Sequence, residues 1–153
     1  MHALELKIPP LLIVLAAAAL MWVAAWSVPA FGFDIPYRRL CGGALAVTGA
    51  IAAMLGVVSF RQARTTVNPM NPGSASSLVV SGIYKRTRNP MYLGFLLVLA
   101  GWAVFLANAL AFLVLPLFML YMNRFQIQPE EAALTSRFGN DFVAYKSRVR
   151  RWL

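Results

Sequence analysis

Two short stretches of this sequence concentrate the residue types that do chemistry. One is Gly82-Ile83-Tyr84-Lys85-Arg86-Thr87-Arg88-Asn89-Pro90-Met91-Tyr92-Leu93-Gly94; the other is Arg124-Phe125-Gln126-Ile127-Gln128-Pro129-Glu130-Glu131. An apolar run separates them, and if that run folds back at its middle, both arrive at one level. Together they offer carboxylates, guanidinium groups, tyrosine rings and an irregular loop. Carboxylates bind an ammonium or ribose hydroxyls, Arg binds a carboxylate, and Tyr packs against a base. The set suits a zwitterionic, partly aromatic ligand. Other chemistries have less to work with. The single cysteine, Cys41, excludes an internal disulfide and a cysteine metal cluster, and the single histidine, His2, argues against a His-ligated metal.

The elements that must position these stretches belong to a membrane. Of 153 residues, 60% are apolar and 12% charged, against about 45–50% and about 25% in soluble domains. So little charge cannot cover a water-exposed surface, and a soluble or disordered chain is excluded. The net charge of +9 fits a basic membrane face beside anionic lipid better than a nucleic-acid site. The chain reads as one all-α integral membrane domain, 1–153, of about four transmembrane helices and amphipathic C-terminal interfacial helices. Two spans fill 1–60; the loop, the hairpin and the tail fill 61–153.

Pro9 to Val28 is a 20-residue apolar run, about 30 Å of helix. It exceeds the roughly 7–15 residues of a signal-peptide core and reads as a span. Leu40 to Phe60 is the second span, with Gly42, Gly43, Gly49 and Gly56 permitting close packing but forming no GxxxG repeat. Cys41 reads as inert packing there. Asn68, Pro69, Asn71, Pro72, Gly73 and Ser74 then forbid a continuous helix. Met91 to Met122 runs 32 residues without a charge, about 48 Å as one helix and too long for a core of about 30 Å. A break at Asn108 gives a tight hairpin of two short helices, the second carrying Pro116; one tilted helix is the alternative.

Leu134, Phe138, Phe142, Tyr145, Val149 and Trp152 recur at steps of three or four, the stripe of helices lying on a membrane surface, with Gly139 as a break. With four spans, the N-terminus, the 61–89 loop and the tail share a side that carries 12 of the 14 basic residues, leaving Arg38 and Arg39 opposite. Positive-inside makes that side cytoplasmic.

Gly82-x-Tyr84, Arg88-Asn89-Pro90-Met91-Tyr92-Leu93-Gly94, the apolar hairpin and Glu130-Glu131-x-x-Leu134-x-x-x-Phe138-Gly139 resemble the isoprenylcysteine carboxyl methyltransferase family. Related phospholipid N-methyltransferases share these elements, and the likeness covers roughly 65–150. The resemblance implies an S-adenosylmethionine-dependent methyltransferase, its site at the cytoplasmic membrane surface and its acceptor a lipid, or a lipid-like or prenylated small molecule. It implies no metal or nucleic acid and leaves the oligomeric state open. By matching positions, cofactor contacts would come from Ser77, Leu78, Val79, Tyr84, Arg88, Asn89, Pro90, Met91, Tyr92, Glu130 and Glu131. Arg124 and Gln126 would stand at the acceptor. Where the family carries a histidine before the proline this chain has Asn89, which hydrogen-bonds but carries no proton. Where it carries a substrate-side arginine this chain has Gln126, so Arg124 is the nearest guanidinium.

A sulfonium methyl is already activated, so transfer needs positioning and desolvation more than acid–base help. A carboxylate acceptor needs no base, which fits the missing histidine; for an amine, water or a Glu can serve. Gly94, Ala100 and Gly101 leave room for a lateral opening through which an acceptor tail stays in lipid. Plainer readings stand beside these. The two glutamates favour a helix N-terminus, Arg88 suits a snorkelling anchor, and Tyr84 and Tyr92 suit an interfacial belt. Asn89-Pro90 suits a helix start. An NADPH-dependent enzyme like the sterol reductases, which have a similar Arg-His-Pro-x-Tyr-x-Gly element, and a non-catalytic scaffold are the alternative functions.

Overall fold

The computed structural model describes residues 5–63 and 76–153. His2, Arg64 and the turn-forming residues Asn68 to Ser74 lie outside them. Within the described residues six α-helices follow in order: α1 Pro10–Ser27, α2 Arg38–Gln62, α3 Pro90–Leu106, α4 Ala109–Met122, α5 Gln128–Phe138 and α6 Asn140–Arg148. Among the described residues the sole β-type pairing is an isolated bridge between Gly32 and Asn108. Proline opens both α1 and α3, where its missing N–H costs nothing. Among the described residues three helices are long and apolar enough to cross a membrane: α1, α2 and the rod 109–138, with α3 shorter at 17 residues. Their outward side chains, such as Leu15, Trp22, Val47, Ile51, Leu113 and Leu117, are exposed, as lipid-facing residues must be. The chain is an integral membrane protein.

The expected break at Asn108 is present. Ala107 turns through a left-handed φ of 49°, and Asn108 caps α4 by accepting from the Leu110 N–H at 3.0 Å. Its amide also donates to the Val28 carbonyl at 3.1 Å, and Phe33 N–H donates to the Ala107 carbonyl at 2.9 Å. The hairpin tip is thereby sewn to the α1–α2 connection.

Glycines set the α2–α3 contact. A Cβ on Gly49 would lie 2.5 Å from the Gly94 carbonyl oxygen, and one on Gly101 would lie 2.5 Å from that of Gly42. Gly42 faces Gly101 and Gly49 faces Gly94, so the two helices run antiparallel, backbone on backbone. The repeat is a seven-residue one, 42, 49 and 56 against 94 and 101, and holds no GxxxG, as the sequence predicts. Two expectations are corrected. The space beside Gly94 and Gly101 is filled by α2, so these glycines open no lateral gate. Cys41, expected to pack, is exposed.

The hairpin does not end where its apolar run does. Asn123–Ile127 continues α4 as a π-helical turn and leads straight into α5, giving one rod from Ala109 to Phe138. Pro129 supplies the local cause: it cannot donate to the Phe125 carbonyl four residues back, and its ring crowds that oxygen. The wider turn relieves the crowding, and the Phe125 carbonyl instead accepts from Leu6 N–H at 3.1 Å. One proline thus docks the segment before α1 onto the π turn. Gly139, at φ 53°, separates α5 from α6 as the sequence predicts. The stripe beyond it turns partly inward: Phe142 and Tyr145 are buried in protein, while Val149 and Trp152 are half-buried.

Candidate functional site

The two polar stretches meet at one end of the hairpin. Tyr92, in the first turn of α3 and buried, donates its hydroxyl hydrogen to Glu130 Oε1 on α5. Tyr84 joins them from the 3-10 turn Gly82–Lys85, held against α2 by an edge-on ring contact with Phe60 at 5.4 Å. Gly82 makes this turn possible, with φ +61° and no room for a Cβ beside Ser59. Burial first, then the Tyr145 phenol and the Glu130 carboxylate, hold the Tyr84 phenol far above its ordinary value. Burial likewise pushes Tyr145 up to about 12, so it is a neutral donor, and its hydroxyl binds the Tyr84 carbonyl at 2.7 Å. Tyr84, Tyr92 and Glu130 therefore form one group of two neutral phenols and a carboxylate. It can accept from ribose hydroxyls or an ammonium and pack a ring against a base.

Glu131, the next residue, faces a different set. Arg151 grips it with two hydrogen bonds, at 3.1 and 2.8 Å, Arg88 pairs with it at 3.1 Å, and Lys146 stands at 3.9 Å. The backbone repeats the connection: Arg88 N–H donates to the Arg150 carbonyl at 3.0 Å and Asn89 Nδ2 to the Arg151 carbonyl at 2.9 Å. Thr87 Oγ1 reaches the same Arg151 oxygen at 3.3 Å, and Trp152 Nε1 binds Asn123 Oδ1 at 3.1 Å. The C-terminal residues are strapped across the start of α3. Of the residues expected at the cofactor, Arg88, Asn89 and Glu131 are engaged here, although Arg88 Nε stays buried without a partner.

The remaining expected residues lie around this pair of clusters. Pro90 and Met91 carry α3 against α2, the Met91 side chain lying beside Gly56. Ser77 donates to the Ala63 carbonyl at 3.2 Å, Leu78 is half-buried and Val79 buried. Arg124 pairs with Glu5 at 3.0 Å and lies 5.5 Å over the Phe125 ring. Gln126 donates to the Ile8 carbonyl at 2.8 Å. The glutamates also lose their plainer reading. The α5 N-terminus continues an existing helix, its preceding residue Ile127 already right-handed helical, so there is no free helix end for them to cap.

Lys146, Arg151, Tyr121 and Glu5 escape the sequence reading. Tyr145 stands in the sequence as part of a lipid-facing stripe and of a Phe142-x-x-Tyr145-x-x-x-Val149 spacing that resembles the family's tail, neither of which gives its hydroxyl a partner. Arg151 carried no signal beyond its charge.

A helical membrane protein with a carboxylate–tyrosine group at the end of a bent hairpin is the class that fold and site define. The family described as phospholipid methyltransferase matches residues 37–141, and the chain belongs to that family. A probable protein-S-isoprenylcysteine O-methyltransferase of Oryza sativa is 28% identical over 112 residues, 73% of this chain and 59% of that protein. The protein-S-isoprenylcysteine O-methyltransferase of Schizosaccharomyces pombe is 35% identical over 72 residues, 47% of this chain and 30% of that one. An uncharacterized Haemophilus influenzae protein is 49% identical over 63 residues, 41% of this chain and all of its own length. The chain thus spans 59% or less of the length of these named methyltransferases. No solved structure gives a significant match.

Proposed function

We propose that this protein is an S-adenosylmethionine-dependent methyltransferase acting on the polar head of a lipid or lipid-like acceptor at the membrane surface. The observation that carries the reading is the Tyr92–Glu130 contact, which joins the start of α3 to α5 with Tyr84 beside it. The donor set fits the cofactor's chemistry: a carboxylate for its hydroxyls or ammonium, rings for its base, and no requirement for a metal. When bound, S-adenosylmethionine supplies an activated methyl group. The chain's own part is to hold and orient it, and to exclude water through the buried Tyr84, Tyr92 and Val79. Tyr92 keeps Glu130 Oε1 fixed; Oε2 remains to accept from the ligand. The strap formed by Arg150, Arg151 and Trp152 holds Arg88 and Asn89, and through them the start of α3. The side carrying the site is cytoplasmic by its 12 basic residues, and 1–153 acts as one domain.

Isothermal titration of the detergent-solubilised protein tests this. Saturable binding of S-adenosylhomocysteine supports it. Binding of NADPH in its place overturns it in favour of a reductase, and binding of neither in favour of a scaffold.

A further inference from the structure

A cavity of about 360 Å³ lies at the opposite end of the hairpin from the Tyr92–Glu130 contact, between the end of α1, the α1–α2 connection and the hairpin tip. The 17 residues of α3 separate the two places by about 25 Å. Backbone and amide bonds fix its frame: Phe33 N–H to the Ala107 carbonyl, Asn108 Nδ2 to the Val28 carbonyl, and the Gly32–Asn108 bridge. Ala25, Leu106 and Ala107 give it apolar walls, whereas Asp34 and Arg38 stand at it with opposite charges. Among the described residues neither charge has an ion-pair partner, unlike Glu131 and Arg124.

Depth decides what reaches this cavity. The 18 residues of α1 make about 27 Å of helix, so a cavity at its end lies where a hydrocarbon core of about 30 Å gives way to head groups. Trp26, Phe31 and Tyr37 are exposed at this level, as in the aromatic belt of a membrane interface. One anion and one cation at a single cavity complement a head group that carries both a phosphate and an ammonium. Arg38 matches the phosphate, aided by the N-terminus of α2, which it opens. Asp34 matches the ammonium, and the Phe33 ring in the same lining also attracts a cation. An anionic lipid would satisfy Arg38 but set its charge against Asp34. Trp22 is exposed three residues before Ala25, hence on the same face of α1, and gives an acyl chain an apolar path from the cavity into the bilayer.

We propose that this cavity binds the head group of a zwitterionic phospholipid, with its phosphate on Arg38 and its ammonium on Asp34. The lipid is a resident ligand at the far end of the helices and not the methyl acceptor. The site stands independently of the methyltransferase reading and survives if that reading falls.

Native mass spectrometry of the full detergent-solubilised chain, titrated with dioleoylphosphatidylcholine, tests this. The ammonium of that probe is already fully methylated, so it cannot serve as an acceptor. The first lipid should bind the native protein at least about tenfold more tightly than dioleoylglycerol, which has the tails without the head group. Arg38→Gln should weaken it about tenfold, the scale of one hydrogen bond between charged groups. Asp34→Asn, which removes a charge contact at an exposed site, should weaken it about threefold. Glu130→Gln should leave it unchanged. Asp34 and Arg38 are exposed, so both variants should extract folded; if they do not, the comparison of the two lipids on the native protein decides. Equal binding of those lipids, or unchanged binding in Arg38→Gln, overturns the site. A loss in Glu130→Gln would move the lipid to the other end of the hairpin and overturn it as well. Phosphocholine alone binding as tightly as the lipid would make the occupant a soluble ion and overturn the lipid assignment.

Discussion

Glu130 and Glu131 are adjacent in the chain and identical in chemistry, yet they live in different worlds. Glu131 faces three cations from two other segments; its charge is consumed in tying the C-terminus to the start of α3. Among the described residues Glu130 faces two phenols and no cation, with one hydroxyl donated to it. A saturated carboxylate holds a fold together, and an unsaturated one has binding capacity to spare. The difference comes from geometry alone, because consecutive helical residues point about 100° apart. Two neighbouring acids at the end of a rod thus serve two separate faces.

Four experiments bear on that contrast, in descending order of effect. Glu131→Ala should cost the most, because Arg88 and Arg151 would be left uncompensated. Breaking a buried pair is worth about 3–5 kcal/mol, reduced here because Arg151 is nearly a third exposed; thermal unfolding in detergent should fall by several degrees or more. Glu130→Gln should leave that transition nearly unmoved and weaken S-adenosylhomocysteine binding by about 1.5–3 kcal/mol, the scale of a hydrogen bond to a charged group. A variant at 130 that unfolds like one at 131 would erase the distinction between the two.

Third, Tyr92→Phe removes the hydroxyl that fixes Glu130 but keeps the ring. About 1 kcal/mol of stability should be lost, and a double-mutant cycle with Glu130→Gln should show that the two effects are not additive. Additive losses would mean that the pair does not act as a unit. Last, Arg124→Ala breaks a pair whose arginine is 40% exposed, so stability should change by less than about 1 kcal/mol. An effect on the scale of Glu131→Ala would make the Glu5 pair a second strap.

The hairpin break was legible because Asn108 is a good cap in the middle of an apolar run too long for one span. The Gly139 break was legible because a helix ends easily there. The α2–α3 seam was in the sequence too, as glycines seven apart. It was missed because a seven-residue interval is meaningful only once a second helix with the same interval faces it. Arg124 was the natural substitute for the family's missing arginine by proximity in sequence. Its guanidinium is paired with Glu5 at 3.0 Å, a partner that no local pattern names.

By itself the sequence determined the membrane class, the approximate placement of the apolar helices, and which two stretches carry the polar chemistry. These follow from composition, periodicity and turn residues, all local properties of the chain. Only the tertiary structure decided which glutamate is free, that the C-terminal arginines strap the start of α3, and that the Gln126 amide is bound to the segment before α1. Each of those depends on a partner far away in sequence: Arg151 for Glu131, Tyr92 for Glu130, the Ile8 carbonyl for Gln126. A polar side chain's role is set by the groups that meet it, and no local pattern records which groups those will be.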